Sequence, residues 1–315
     1  MTKYDTCKYV LAGGSVFLFV ISLVIFACNV EAKSSLKSIQ AVPDIDRATY
    51  SRLSGHYLAA RFAFGQNDIS SAANYYRRAL TQDPENAILV QRALALGLQE
   101  GQVLDSLPLA NRLVGLSPKS KIGHLSLLIE AFSRKNHKKA LYHLDQLGRE
   151  GMFEFVTPLL QGWLLLANGD LEAAQVAVDS LKDNQSFKIY HAYHSALMAD
   201  VVGNDKDAEK YFKIAFNGIP GGTLRVTLGY SLFLKNSGRL EESLSVIEMH
   251  KRYNPDSGWI VAIGDVIKAP RPLKHIVSSI GEGLAEVLLG AASALPNQSA
   301  GGMGLTYAQL ALYLR

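Results

Sequence analysis

Cysteine is nearly missing from this chain. Of 315 residues only Cys7 and Cys28 carry a thiol, and both sit at the extreme N-terminus. The remaining chain can form no internal disulfide, although a scarcity of cysteine does not by itself identify a redox compartment. An excess of one charge is lacking too: 32 Lys and Arg stand against 28 Asp and Glu, well mixed, for a net charge of +4. That balance lacks the clustered basic face that a nucleic-acid partner requires. The GxxxxGK[ST], HExxH and GxSxG patterns do not occur, so no catalytic residue, cofactor or small-molecule substrate is expected. The stretch HAYH sets His191 and His194 three residues apart, but two ligands are too few for a metal site. What the chain has is apolar content. With 48% hydrophobic and 19% charged residues, it can bury a sizeable core, as one long domain or two ordinary ones.

The N-terminus is a membrane signal. Lys3 and Lys8 precede an apolar run from Tyr9 to Cys28. Three readings stay open. The core Val16 to Ala27 suits the apolar region of a cleaved secretory signal, with Val30-Glu31-Ala32 as the cleavage site and Ala32 the last residue removed. The run is also long enough for an uncleaved anchor, since about 20 apolar residues span a bilayer. IFAC loosely resembles a lipobox, with Cys28 as the acylated residue, although Phe26 fits that pattern poorly. In all three the basic start stays in the cytoplasm and the body is exported, to the periplasm or the periplasmic face of the inner membrane.

The body repeats. Cut every 34 residues from Leu53, it gives units starting at Leu53, Ala87, Lys121, Phe155 and Ile189, with a sixth at Leu224, one residue late. Position 20 holds Ala72, Ser106, Ala140, Ala174, Ala208 and Ser243, all small. Position 24 holds Tyr76, Ala110, Leu144, Val178, Phe212 and Ile247, all apolar. Position 15 is Asn67, Gly101, Lys135, Gly169, Gly203 and Gly238, and position 32 is proline in four units, Pro84, Pro118, Pro220 and Pro255. Small residues let two antiparallel helices approach, large apolar ones fill the space beside them, residue 15 ends the first helix in a left-handed conformation, and proline stops the second. Such hairpins bury their faces only by stacking. The columns resemble the tetratricopeptide repeat (TPR), and NDISSAANYYRRALTQDPEN, Asn67 to Asn86, is close to a consensus second helix. The resemblance covers Leu53 to about Asp256. It implies an all-α, right-handed superhelical solenoid of helix hairpins. His56 and Pro158 at position 4, Lys135 at position 15 and His250 at position 27 depart from the pattern. GIPGG, Gly218 to Gly222, reads as an inter-repeat turn, and the basic run SRKNHKKALYH as a solvated face or, alternatively, a contact for anionic lipid or an acidic peptide.

After Pro255 the register breaks. The expected organisation is a signal or anchor over 1–32, a linker over 33–45, six repeats over 46–255, an insertion over 256–283 and a seventh, truncated repeat over 284–315. Pro270 and Pro272 keep the insertion from being one helix. It reads as a surface loop or, more sharply, as a segment laid along the solenoid groove as an internal plug. The final LTYAQLALYLR is too apolar for a terminal cap, so the chain is expected to be a shortened version of a longer array, with Leu312 more exposed than Leu80.

The resemblance implies that a protein or peptide partner lies on the concave face lined by the first helices. Tyr57, Arg61, Gln91, Arg92, Trp163, Tyr193, His194, Asp200, Lys235 and Asn236 fall there in register, while the middle is apolar: Ile122, Leu125, Ile129, Leu159, Leu160 and Trp163. The reading is a non-enzymatic, exported binding scaffold of a bacterial envelope type. The alternatives are a TPR portion of a longer protein with a catalytic part beyond Arg315, and an assembly factor for envelope machinery.

Overall fold

The structure is a computed structural model that describes residues 47–295 and 302–315. The N-terminal membrane signal, with Cys28 and Ala32, and the linker after it lie outside the described residues. Among the described residues there are helices and turns but no strand, and no helix is long and apolar enough to cross a membrane.

Six helix pairs follow one another in register. They are α1 (Arg47–Gly65) with α2 (Ile69–Gln82), α3 (Ala87–Gln99) with α4 (Val103–Leu116), α5 (Lys121–Ser133) with α6 (His137–Asp145), α7 (Phe153–Ala167) with α8 (Leu171–Asp179), α9 (Lys188–Val201) with α10 (Asp205–Asn217), and α11 (Leu224–Asn236) with α12 (Leu240–Tyr253). Each helix packs on the next along the chain. The small column is buried throughout, from Ala72 to Ser243, and so is the apolar column from Tyr76 to Ile247. Four of the six second helices start on side-chain caps: Asp68 accepts from the Ser71 amide at 2.9 Å, and Asn136, Asp170 and Asn204 repeat the arrangement. All six residues at position 15 have positive φ, including the non-glycines Asn67 and Lys135 at 58°. In the third and fourth units, which lack the closing proline, the second helices shrink to nine residues and irregular chain follows. His250, where alanine is usual, is buried with Nδ1 placed 2.8 Å from the Gly221 carbonyl, so it braces the GIPGG turn.

The C-terminal part departs from the expectation of a seventh unit stacked after the sixth. A short helix, α13 (Gly258–Ile267), begins 34 residues after Leu224 and packs on α11 and α12 as a first helix without a second. The chain then doubles back. Residues 268–279 form a tether, and a hairpin of α14 (Ile280–Ala294) and α15 (Met303–Tyr313) packs against α7 and α9 through α14, and against α3 and α4 through α15. The hairpin therefore fills the groove along the first helices. The reason is apolar area. First helices need only one buried stripe to stack, yet α5 is buried at nearly every position from Ile122 to Ala131, and α7 and α9 are alike. A helix apolar all round requires cover on both sides. Leu312, on the uncovered side of α15, is 63% exposed and Leu80 is 7% exposed.

Lys135 holds a left-handed conformation that costs an L-residue about 1–2 kcal/mol, against the smaller entropy cost of glycine. Lys135→Gly should raise stability by about 1 kcal/mol, read as an increase in the urea midpoint at unchanged m-value.

Candidate partner-binding groove

The first helices present one continuous row of side chains, and the tether and hairpin meet most of it. The tether enters over α11, where Asn236 donates from Nδ2 to the Leu273 carbonyl at 2.8 Å and accepts from the Leu273 amide at 3.1 Å. Two residues on, His275 Nδ1 lies 2.8 Å from Asp200 Oδ2, and the carboxylate holds the imidazole above its ordinary value. Lys235, beside Asn236, is half-buried.

The central contact is ionic. Glu286 of α14 is 3% exposed, in an otherwise apolar run. Tyr193 donates to Glu286 Oε1 at 3.0 Å, Arg225 donates from Nε at 2.8 Å and also from Nη2 to Oε2, and Arg315 reaches Oε2 at 3.4 Å. Burial, and next the Glu286 charge, push the Tyr193 phenol well above its ordinary value. Beneath them Trp163 is fully buried and donates from Nε1 to His194 Nδ1 at 3.1 Å. Burial pulls His194 down to about 4, so the ring is neutral and accepts. Gly283 lies flat on the indole: a Cβ there would fall inside contact distance of the Trp163 ring. At the other end of the hairpin Gln309 donates to the Gln99 carbonyl at 3.3 Å, and the Tyr313 and Ser133 hydroxyls are 3.2 Å apart.

The row is thus divided. Trp163, Tyr193, His194 and Asp200 are covered by the chain's own C-terminal segment, together with the apolar middle. Tyr57, Arg61 and Arg92 line an open cleft of about 380 Å³ between α1 and α3, with Phe64, Ile88 and Leu96. Gln91 is exposed on α3 outside that cleft. Tyr76 floors it, edge-on to Tyr57 at 6.0 Å between ring centres. Burial raises the Tyr76 phenol, and the nearby Arg92 and Arg61 charges oppose that rise. Leu58, Phe62 and Ile88 are exposed on the same two first helices, by 62%, 72% and 64%. Of the HAYH pair, His191 turns to Asp179 at 2.9 Å while His194 turns to Trp163, so they share no ligand. Sequence reasoning missed Glu286, Arg225 and Gly283. The signal available for them was a lone carboxylate in a helical run of apolar and small residues.

Solved structures match this arrangement of hairpins. A tetratricopeptide repeat protein from Parabacteroides merdae is 14% identical, with 83% of this chain and 99% of that chain covered at a TM-score of 0.56. The chain has the tetratricopeptide-repeat fold. PilW, described as a widely conserved type IV pilus biogenesis factor, is 15% identical over 69% of this chain and 99% of its own, with a TM-score of 0.48. PilF of Pseudomonas aeruginosa is 13% identical over 71% of this chain and 100% of its own, with a TM-score of 0.45. No protein-family model and no curated protein matches the sequence. The repeat thus supplies the TPR groove, and the C-terminal hairpin occupies its middle.

Two tests address the covered groove. Gly283→Leu should drive a side chain into the Trp163 ring and cost about 1–3 kcal/mol, whereas Gly290→Ala, whose Cβ meets only ordinary contact with Tyr190, should be neutral or stabilising; paired thermal melts would show it. Acid should also weaken the fold. His194 and His143 both sit at about 4, each mainly through burial, and the unfolded chain protonates them near 6.5. Their contribution is complete above 6.5 and falls as the pH drops from 6.5 towards 4, by up to about 1.4 kcal/mol per pH unit for each ring. His275, raised by Asp200, acts in the opposite sense and loses its contribution as pH climbs through its raised value. Urea titrations at pH 7 and pH 5 should show lower stability at pH 5, with a smaller difference in His194→Gln.

Proposed function

We propose that this chain is a non-catalytic scaffold that docks a segment of a protein partner in the cleft of its first two units. The observation that carries the reading is the open cleft itself. The tether and hairpin cover the centre of the concave face, and the cleft left open to solvent is lined by exposed Arg61, Ile88 and Arg92 and half-buried Tyr57 and Phe64, beside exposed Leu58 and Phe62. Apolar side chains left together on a surface favour a partner, and tyrosine and arginine are the residue types enriched where binding energy concentrates. A photo-crosslinking residue placed at Leu58 should yield one dominant adduct from cell membranes, and Tyr57→Ala with Phe64→Ala should abolish it while an identical probe at exposed Val176 gives none. A Leu58 adduct pattern no different from that at Val176 would reject the reading.

The scaffold works outside the cytoplasm on this proposal, delivered by the apolar run after Lys3 and Lys8 and held at an envelope membrane or released from it. A periplasmic reporter joined after residue 50 should be active only when exported. Mass spectrometry of the mature N-terminus then separates Lys33 as first residue, an acylated Cys28 and an intact anchor.

A further inference from the structure

The groove already contains one ligand, and it shows what this surface binds. Glu286 is a carboxylate on a helix, lying across the first helices of two consecutive units. It is held by a tyrosine at position 5 of one unit, Tyr193, and an arginine on the first helix of the next, Arg225. A similar pairing occurs at the other end of the stack, with the arginine at position 6 of its unit, one turn further along than Arg225 at position 2. Tyr57 is position 5 of the first unit and Arg92 lies on the first helix of the second, with Arg61 one turn beyond Tyr57. Here no carboxylate answers them. No Asp or Glu is among the residues lining the cleft, and neither Arg61 nor Arg92 has an ion pair or hydrogen bond among the described residues. Arg77 on the neighbouring helix, by contrast, is engaged by Glu100, Gln102 and Asn74. Two guanidinium groups beside an aromatic floor match a carboxylate in charge and in hydrogen-bond geometry.

We propose that the Tyr57–Arg61–Arg92 cleft receives an acidic side chain carried on an apolar helix of a protein partner, the chemistry that α14 presents within the chain. This rests on the docking reading above and specifies the partner. The carboxylate would accept from the Tyr57 hydroxyl and from one or both guanidinium groups. Apolar residues a turn away on the partner helix would cover Phe64 and Ile88, just as Gly283, one turn before Glu286, packs against the Trp163 ring. The partner is thus an amphipathic helix whose apolar face is interrupted by one Asp or Glu, not a basic segment and not an extended neutral one.

A fluorescent peptide with the sequence of Ser279–Leu295 and the change Glu282→Gln is a defined probe, because Glu286 is then its one side-chain carboxylate and its apolar positions and helical register are those of the bound helix. Anisotropy titrations with the full chain in mild detergent should give saturable binding. The peptide change Glu286→Gln and the protein change Arg61→Gln with Arg92→Gln should each weaken it by about tenfold or more, and together no more than either alone. Arg78→Gln, a control for net charge, should leave it unchanged. Because Arg61 and Arg92 are exposed and have no ion pair among the described residues, unaltered melting of the double variant checks that the fold survives. Equal binding by the Glu286→Gln peptide, or by the arginine variant, would overturn the carboxylate assignment and leave the cleft as a docking surface. Absence of binding to the wild-type chain would reject this kind of partner, while the Leu58 crosslink still judges the docking reading by itself. A crosslink from position 58 to residues 1–46 of the same chain would show that the cleft is filled from within, and would overturn the proposal.

Discussion

Everything in the C-terminal half follows from one excess: α5, α7 and α9 carry more apolar side chains than stacking can use. A repeat hairpin needs a stripe against its neighbours, and these helices are apolar on the groove side as well. Left open, Ile122, Leu125, Ile129, Leu159, Leu160 and Trp163 would form a band of hydrocarbon in water. Covering such side chains is worth about 1.5–3 kcal/mol each, so a hairpin that covers the band is held by more than its polar contacts. The first helix of unit one lacks that excess, and the hairpin stops short of it, on α3 and α4.

Apolar cover alone sets no register, since one greasy helix can slide along another. The charge does. Glu286 leaves water only because Tyr193, Arg225 and Arg315 meet it, and a shift of α14 by one turn would leave a buried carboxylate with no donors. Breaking a buried ion pair by removing one partner costs about 3–5 kcal/mol, which makes every other register unfavourable. Gly283 on the Trp163 ring adds a steric condition at the same place, and the Asn236 and Asp200 contacts fix where the tether enters. Position is thus determined by a few directional contacts, and affinity by the hydrocarbon around them.

The repeat was legible because its code is local. Each column is a statement about one hairpin, so residues such as Ala174, Gly203 and Pro220 announce their roles without knowledge of the rest of the chain. Lys135 shows the strength of that code: it takes the left-handed turn that its column requires despite its side chain. The destination of the last hairpin was not legible in the same way. Small and apolar residues at helical spacing specify that LAEVLLGAASAL forms a packed helix, not which surface it packs on. Read in register, it continues the stack; with Pro270 and Pro272 keeping the tether extended, it returns instead. The apolar centre of the concave row was the available clue; the sequence reading gives the plug to the insertion over 256–283, whereas it is the hairpin of residues 280–313 that fills the groove. The pairing of Glu286 with Arg225 lies beyond such reading, because the two are 61 residues apart and nothing local ties them. At the candidate cleft, Tyr57, Arg61 and Arg92 were found by register alone, whereas their separation from Trp163 and Tyr193 depends on where the hairpin stops.

The returning hairpin changes how such a chain must fold. Stacked repeats touch only their sequence neighbours, so they can condense one after another as they leave the ribosome. Here Tyr193 waits for a residue 93 positions later, and Gln99 for one 210 positions later. Loops of that length close late, and the rate of folding falls as contacts become more distant in sequence. The central units must therefore pass through a period in which their hairpins are formed and their groove is bare. Until the returning hairpin, residues 280–313, has been made, that bare groove is the part of the chain most open to holding factors.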